Sequence, residues 1–416
     1  MPLPALAQEP PAAEGEAPAP ATPPEEALSP EEQAEIEAAL GADEQAKAEG
    51  EPQDAAPAAS SSIGPSQISF HGLDLSLVLD AAAAAFSSDE PLQTGGHDPT
   101  ERGFNLQQLE LSIGSEVDPY FRFDSNIVFS QFGVEVEEAY ATTLALPANL
   151  QVRAGQFLTR FGRLNASHPH AWDFVDQPFA LGRIFGGENN RGLGVEGSWL
   201  SPLPWYLELV GSVTDASGEG TARSFLGGEG GGVQSPLDFQ FTGVLKQFFP
   251  FGDDLSLLWG LSAASGPNAT GHRNRTDVYG TDVYLRYRPT AAGSQSILTW
   301  QTELFYRRRQ VPDSVLTDLS GYSQLAWRFT KRWGVAARYE LGTAAEDSDG
   351  HREDPLDPEW TEARQRVSAN LTFWPSEFSR LRLQGARDHA GWRDAADYSA
   401  FLSLEVVVGA HGAHRF

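Results

Sequence analysis

Residues 362–388 read EARQRVSANLTFWPSEFSRLRLQGARD. In the first half Val367, Ala369, Leu371 and Phe373 alternate with Arg364, Arg366, Ser368 and Asn370. In the second half Leu381 and Leu383 alternate with Arg380, Arg382 and Gln384. A period of two residues is the mark of a β-strand, whose successive side chains point to opposite faces. Pro375–Glu377 between the halves supplies a tight turn. In water such strands hide the apolar face in a two-layer sandwich. A sandwich rarely lines the other face with this many charges, strand after strand. A transmembrane barrel does, with apolar side chains facing lipid and polar ones facing a water-filled interior.

The same texture extends in both directions. Phe121, Phe123, Ile127 and Phe129 alternate with Arg122, Asp124 and Asn126, and Leu298, Trp300, Leu304 and Tyr306 with Gln301, Glu303 and Arg307. Strands are expected at 68–86, 104–117, 120–130, 134–146, 150–160, 190–200, 205–214, 237–248, 255–264, 277–288, 295–308, 320–330, 333–343, 362–373, 380–388 and 398–411. That is about sixteen, an even number as bacterial single-chain barrels have. Tight connections, such as Asp118-Pro119, Pro147–Asn149, Pro250–Asp253 and Lys331-Arg332, alternate with longer polar ones at 87–103, 161–189, 215–235, 265–276, 309–319, 344–361 and 389–397. Short turns at one end and long loops at the other are the outer-membrane pattern. Trp199, Trp205, Tyr206, Trp259, Tyr287, Trp327, Trp333 and Trp374 fall near strand ends, where amphipathic rings suit a membrane interface. Phe416 ends an apolar face of alternate residues and resembles the terminal aromatic by which the outer-membrane assembly machinery recognises its clients.

Composition agrees. The chain has 416 residues, no Cys and a net charge of −28. Disulfides and Cys-based metal sites are excluded, and nucleic acid is an unsuitable partner for so acidic a chain. Mean hydropathy is −0.34 and no apolar run reaches the ~18 residues of a membrane helix. Residues 1–8, MPLPALAQ, end in an Ala-x-Ala pattern and read as a signal-peptide remnant. Residues 9–67 form a disordered acidic linker, with fourteen acids and one base between Glu9 and Asp54. One short helix is expected there at 30–41, with Ser29 as N-cap, Pro30 at its first position and Gly41 as its stop. The barrel proper takes 68–416.

The longest connection inside the barrel pattern, 161–189, is expected to fold into the pore and constrict it. Its polar residues Arg160, Arg163, His168, His170, Asp173, Asp176 and Arg183 are the candidate constriction. His168 and His170, with Asp173 and Asp176 behind them, offer nitrogen and oxygen ligands for Zn²⁺, or else a network that fixes the loop. Parity makes Arg122, Asp124, Arg153, Glu135, Glu137, Arg286, Arg288, Glu303, Arg307, Arg338, Glu340, Arg364, Arg366, Arg380 and Arg382 the expected pore lining. Bases dominate strands ten to fifteen and acids strands two to four. Either the two arcs face each other across the lumen as a transverse field, or the charges pair locally. No catalytic motif is present, so an enzyme is not expected.

The runs VDPYF (117–121), VEEAYATTLALP (136–147), AGQFLTRFGRLN (154–165), HPHAWDFVDQP (168–178) and LPWYLEL (203–209) resemble Gram-negative outer-membrane proteins commonly labelled zinc-regulated, TonB-dependent outer-membrane receptors. That group is similar to the phosphate-selective porins. The resemblance is dense over 104–214. It implies an outer-membrane channel, and it strengthens the expectation of zinc near His168 and His170. TonB-dependent transporters have 22 strands and a plugged lumen; the stretch from 68 to 416 suits a smaller barrel. The expected function is passive diffusion of small hydrophilic solutes or ions through a charged lumen. The expected setting is the outer membrane, among lipid and lipopolysaccharide, with the N-terminal segment in the periplasm and a homotrimer among the assemblies allowed. Two other readings stand beside it: zinc-linked uptake or metal binding through the loop, and a non-conducting structural anchor.

Overall fold

The chain divides into two units, Met1–Ile63 and Gly64–Phe416. The computed structural model describes residues 69–409 apart from 71, 132, 217–222, 227–232, 272, 291–294 and 351–353. The expected signal remnant, linker and helix 30–41, and Phe416, lie outside the described residues.

Within that range the strands are β1 (Ser69–Phe70), β2 (Leu73–Phe86), β3 (Gly103–Asp118), β4 (Phe121–Ser130), β5 (Gly133–Thr143), β6 (Leu150–Leu158), β7 (Arg191–Leu200), β8 (Tyr206–Asp215) and β9 (Phe239–Phe251). They continue as β10 (Leu255–Pro267), β11 (Arg275–Tyr287), β12 (Ile297–Val311), β13 (Ser314–Arg328), β14 (Trp333–Gly342), β15 (Arg364–Ser376), β16 (Ser379–Ala390) and β17 (Asp397–Gly409). Each pairs antiparallel with its neighbour in sequence, and β17 pairs with β2, so β2–β17 close a barrel of sixteen strands. The stub β1 folds back on the start of β2 around Gly72, whose φ is +85°.

The packing is inside out. Along β15 the inward Arg364, Arg366 and Ser368 are 2%, 1% and 1% exposed, while Val367 and Leu371 are 54% and 39% exposed. Outward Leu304, Leu325, Leu383 and Leu402 are exposed in the same way. An apolar belt that water would penalise is what lipid requires. Outward rings of Trp205, Tyr206, Tyr287, Trp327 and Trp333 ring the end that carries the tight turns. Trp333 packs on Phe373 with centroids 4.6 Å apart.

Turn chemistry fixes that end. Between β5 and β6, Ala148 and Asn149 both take φ near +60°, as a two-residue turn that follows sheet twist demands. One expected long loop, 309–319, is instead a hairpin. Val311 pairs with Ser314, and Asp313 sits at φ +63°. The Arg-rich run before it reads as loop, but strands that rise above the membrane are free to carry charge on both faces. β-Bulges reset parity at two places. One makes both Gln107 and Gln108 face inward on β3, and the other does the same to Glu137 and Glu138 on β5.

Placing Arg at position 383, on the lipid face, should lower unfolding free energy by about 2–4 kcal/mol. Urea titration of the L383R barrel in lipid vesicles measures this. A change near zero would mean that this face meets water.

Candidate functional site: the loop inside the barrel

The connection between β6 and β7, residues 159–190, runs into the barrel and bonds to its inner wall. Asn165 closes its neck, donating from Nδ2 to the carbonyls of Thr159 (2.8 Å) and Asn190 (3.1 Å) and accepting from the Asn190 amide (2.7 Å). Just inside the neck the loop meets β10–β13. The Gly162 amide donates to Ser262 Oγ (2.9 Å), and the amides of Arg163 and Leu164 donate to the two oxygens of Glu303 (3.0 and 2.9 Å). Two glycines allow this approach. Gly162 has φ +61° and a Cβ there would meet Glu303 Oε2 at 2.2 Å; a Cβ on Gly280 would meet the Phe161 ring at 2.7 Å. The Arg163 guanidinium lies 3.6 Å above the Tyr284 ring.

Farther along, residues 170–176 cross to β14–β16, and arginines receive their backbone. Arg380 donates to the carbonyls of His170 (2.8 Å) and Trp172 (3.0 Å), and Arg382 to those of Trp172 (3.1 Å) and Phe174 (2.9 Å). Asp176, fully buried, accepts from Arg338 (2.7 Å), Gln384 (2.8 Å) and Arg366. Asp173 accepts from Gln324 (3.2 Å). A short helix, α1 (Phe179–Phe185), follows; its first amide donates to Glu340 (2.6 Å). Every residue of α1 is buried. Its rings and those of Phe161, Phe225, Phe305 and Trp360 form an apolar core inside the barrel. Arg183 on α1 reaches Asp357 and Asp318 at 3.6 and 3.8 Å and lies 4.0 Å over Trp360.

Many of the other inward charges are paired locally. Arg122 meets Asp124 (2.9 Å), Arg153 meets Glu196 (2.9 Å), and Arg160 meets Glu196 (2.8 Å) and Glu208 (2.6 Å). Arg307 meets Asp318 (2.8 Å), Arg364 meets Asp388 (2.6 Å), and Arg380 meets Glu405. Glu135 meets Arg191. Arg286 is inward and half-buried on β11. Arg288 lies past the end of β11 and is exposed, its amide bonded to the Asp254 carbonyl (2.7 Å), so it does not line the interior.

The four candidate zinc ligands do not come together. His168 and His170 stack with rings 5.8 Å apart and 3° from parallel, on the wall of β3 and β5. Asp173 and Asp176 are turned to the opposite partners named above. Instead, His170 Nδ1 meets Glu110 (3.0 Å), and His168 meets Glu137 (3.0 Å, Nδ1) and Glu138 (2.9 Å, Nε2). A third imidazole joins them from the loop 87–102: His97 Nε2 meets Glu137 (2.9 Å) and Glu188 (3.7 Å). Burial opposes a charge on His97, but the hydrogen bond and charge of Glu137, with Glu188, outweigh it and lift its imidazole to about 9. Burial likewise opposes charge on His168, and Glu110, Glu137 and Glu138 raise it well above its ordinary value. Sequence reading missed His97, Glu138 and Glu188. Strict alternation puts Glu138 outside, and only the bulge turns it in. The Gly-Gly before His97 and the Gly-Gly before Glu188 were the available signal.

Protein-family profiles give no match to the chain. A protein of Aquifex aeolicus (strain VF5), described as an uncharacterized protein, is 36% identical over 358 residues, covering 77% of this chain and 73% of its own. Among solved structures the chain is similar to the outer membrane channel DcaP of Acinetobacter baumannii (14% identity, TM-score 0.55, 80% and 96% of the two chains). It is also similar to Pseudomonas putida OprB (11%, 0.56, 81% and 94%) and to an anion-selective porin from Comamonas acidovorans (10%, 0.52, 80% and 99%). At these identities the likeness is one of fold: these neighbours are outer-membrane porin barrels.

Two outcomes are expected. Among the described residues, Asp176→Ala leaves Arg366 with only long contacts to Asp388 (3.8 Å) and Glu340 (4.0 Å), and Arg338 with Glu340 alone (2.8 Å); it should cost about 3–5 kcal/mol, read as a lower denaturation midpoint and faster protease cleavage within 170–180. The His97 imidazolium stabilises the docked loops below its ordinary value of 6.5, and this is lost as pH rises through about 9. Fluorescence of Trp172, which lines the same cavity, should change across that window and stay flat in His97→Gln.

Proposed function

We propose that this chain, which belongs to the same family as the Aquifex aeolicus protein, is an outer-membrane channel for small hydrophilic solutes or ions, narrowed by the loop 159–190. The observation that carries the reading is the loop's position. It lies inside a closed barrel and is bonded to the wall on both sides, with polar side chains inward and apolar ones outward. A barrel of this size has room for a lumen, and an internal loop sets its width. The inward arginines are spent largely on the loop and on local acids. Selectivity therefore rests on the half-buried charges in and beside it, Arg122, Asp124, Arg163 and Arg286 among them. In this reading the barrel sits in the outer membrane with its tight turns and its N-terminal segment on the periplasmic side. A homotrimer would close in three equal conductance steps.

One observation favours a second reading, a non-conducting anchor. At the level of the loop the inward Glu110, Gln240, Asp282 and Arg366 are each 1% exposed or less. Planar-bilayer recording separates the two. The wild type is expected to give small discrete steps, and a variant with 164–187 replaced by a short Gly/Ser linker steps several-fold larger. No steps from either folded protein would leave the anchor.

A further inference from the structure

We propose that the cavity between the loops 87–102 and 159–190 binds one divalent transition-metal ion through His97, Glu137 and Glu188, with His168 as the positioning residue. The proposal stands independently of whether the barrel conducts.

The geometry is close to what such an ion needs. The ligand atoms of His97, Glu137 and Glu188 lie within 4.8 Å of one another. His97 Nε2 is 2.9 Å from Glu137 Oε1 and 3.7 Å from Glu188 Oε2. Ligands about 2.0–2.2 Å from a tetrahedral ion are separated by roughly 3.4 Å, so the observed spacings straddle the required one. The three residues come from three segments: a loop, the bulge on β5, and the far limb of the internal loop. They line a small cavity of about 20 Å³, room for a single ion or water, along with Gly95, Gly96, Gly187, His168 and Trp172. The glycines make the room. A Cβ on Gly96 would lie 1.9 Å from Glu188 Oε1, and one on Gly187 2.7 Å from the Gly96 nitrogen.

The chemistry of the pairing points the same way. Elsewhere in the interior six buried carboxylates, Asp176, Asp318, Asp354, Asp388, Glu196 and Glu405, are paired with arginine. At this one place, among the described residues, the ion pairs of Glu110, Glu137, Glu138 and Glu188 are all to histidines. Arginine neutralises charge but cannot ligate; imidazole does both. Two buried atoms are also left without a hydrogen-bond partner, Glu188 Oε2 and His97 Nδ1. An unmet carboxylate oxygen in an enclosed place calls for a ligand.

His168 has a different part. Its Nδ1 holds Glu137 Oε2 (3.0 Å) and its Nε2 holds Glu138 (2.9 Å). That leaves Glu137 Oε1 directed at His97 and into the cavity. Partners that orient a ligand in this way typically carry 10–100-fold of metal affinity. Mixed imidazole and carboxylate donors suit Zn²⁺, Co²⁺ or Mn²⁺. Three protein ligands leave a further position for water or an incoming anion.

The test uses the full chain folded in detergent micelles, titrated with Zn²⁺ by calorimetry and with Co²⁺ by visible absorption. One saturable equivalent is expected, with the d–d bands of a low-symmetry Co²⁺ site. Glu188→Gln and His97→Ala should abolish it or weaken it at least tenfold, and His168→Ala should weaken it 10–100-fold. Asp173→Asn, outside the set, should bind as wild type. Circular dichroism and heat-modifiable gel migration establish that each variant is folded. Absence of saturable binding in wild type, or folded Glu188→Gln binding as tightly as wild type, overturns the proposal.

Discussion

One fully buried carboxylate, that of Asp176, sits between Arg338 and Arg366, with Gln384 and Gln93 also donating to it. Taking three charges out of water is costly, and mutual attraction offsets that only when hydrogen bonds are complete. Here the wall supplies them. The neighbouring arginines Arg380 and Arg382 extend the arrangement along the backbone carbonyls of residues 170–174. A loop of this length would otherwise leave many main-chain groups unmet inside a barrel. The guanidinium forks therefore replace the water that a wide pore would hold. This is why the inward face beside the loop is both strongly charged and closely packed.

The wall and the loop impose conditions on each other. Smooth alternation on β3 and β5 would turn every second residue to lipid. A bulge on each strand doubles the inward residues where the loop's histidines arrive, giving Gln107 with Gln108 and Glu137 with Glu138. On the other side the wall recedes. Gly280 yields space to Phe161, and the loop's helix finds an apolar niche against Phe305 and Tyr322. Acidic, imidazole-rich contacts on one wall and arginine contacts on the other give the loop a fixed orientation.

Most of the barrel was legible because its signal is local and repeated. Val367 and Leu371 against Arg364 and Arg366 needs no knowledge of partners, and the even strand number and alternating connection lengths follow from the same count. What escaped depends on tertiary context. The hairpin at 311–314 was hidden because charge on both faces of a strand reads as loop when nothing says the strand has left the membrane. Helix α1 was hidden because FALGRIF is short and, Arg183 apart, apolar on every face, a pattern that only enclosure explains. The loop's histidines were found, but their partners were sought nearby in sequence, at Asp173 and Asp176. The actual partners, Glu110, Glu137 and Glu138, come from strands tens of residues away, and the third histidine at 97, which shares Glu137, comes from another loop.

The route of residues 168–176 has a mechanical consequence. Its near end is tied to Glu110, Glu137 and Glu138 on β3 and β5, and its far end to Arg380 and Arg382 on β16. Those strands flank the seam where β17 meets β2 and the sheet is sealed. The inner segment is therefore a strut that ties β3 and β5 on one side of the seam to β16 on the other. Prying that seam open means tearing the strut from one of its moorings, so the cylinder resists unzipping at the very joint where chain connectivity offers no help.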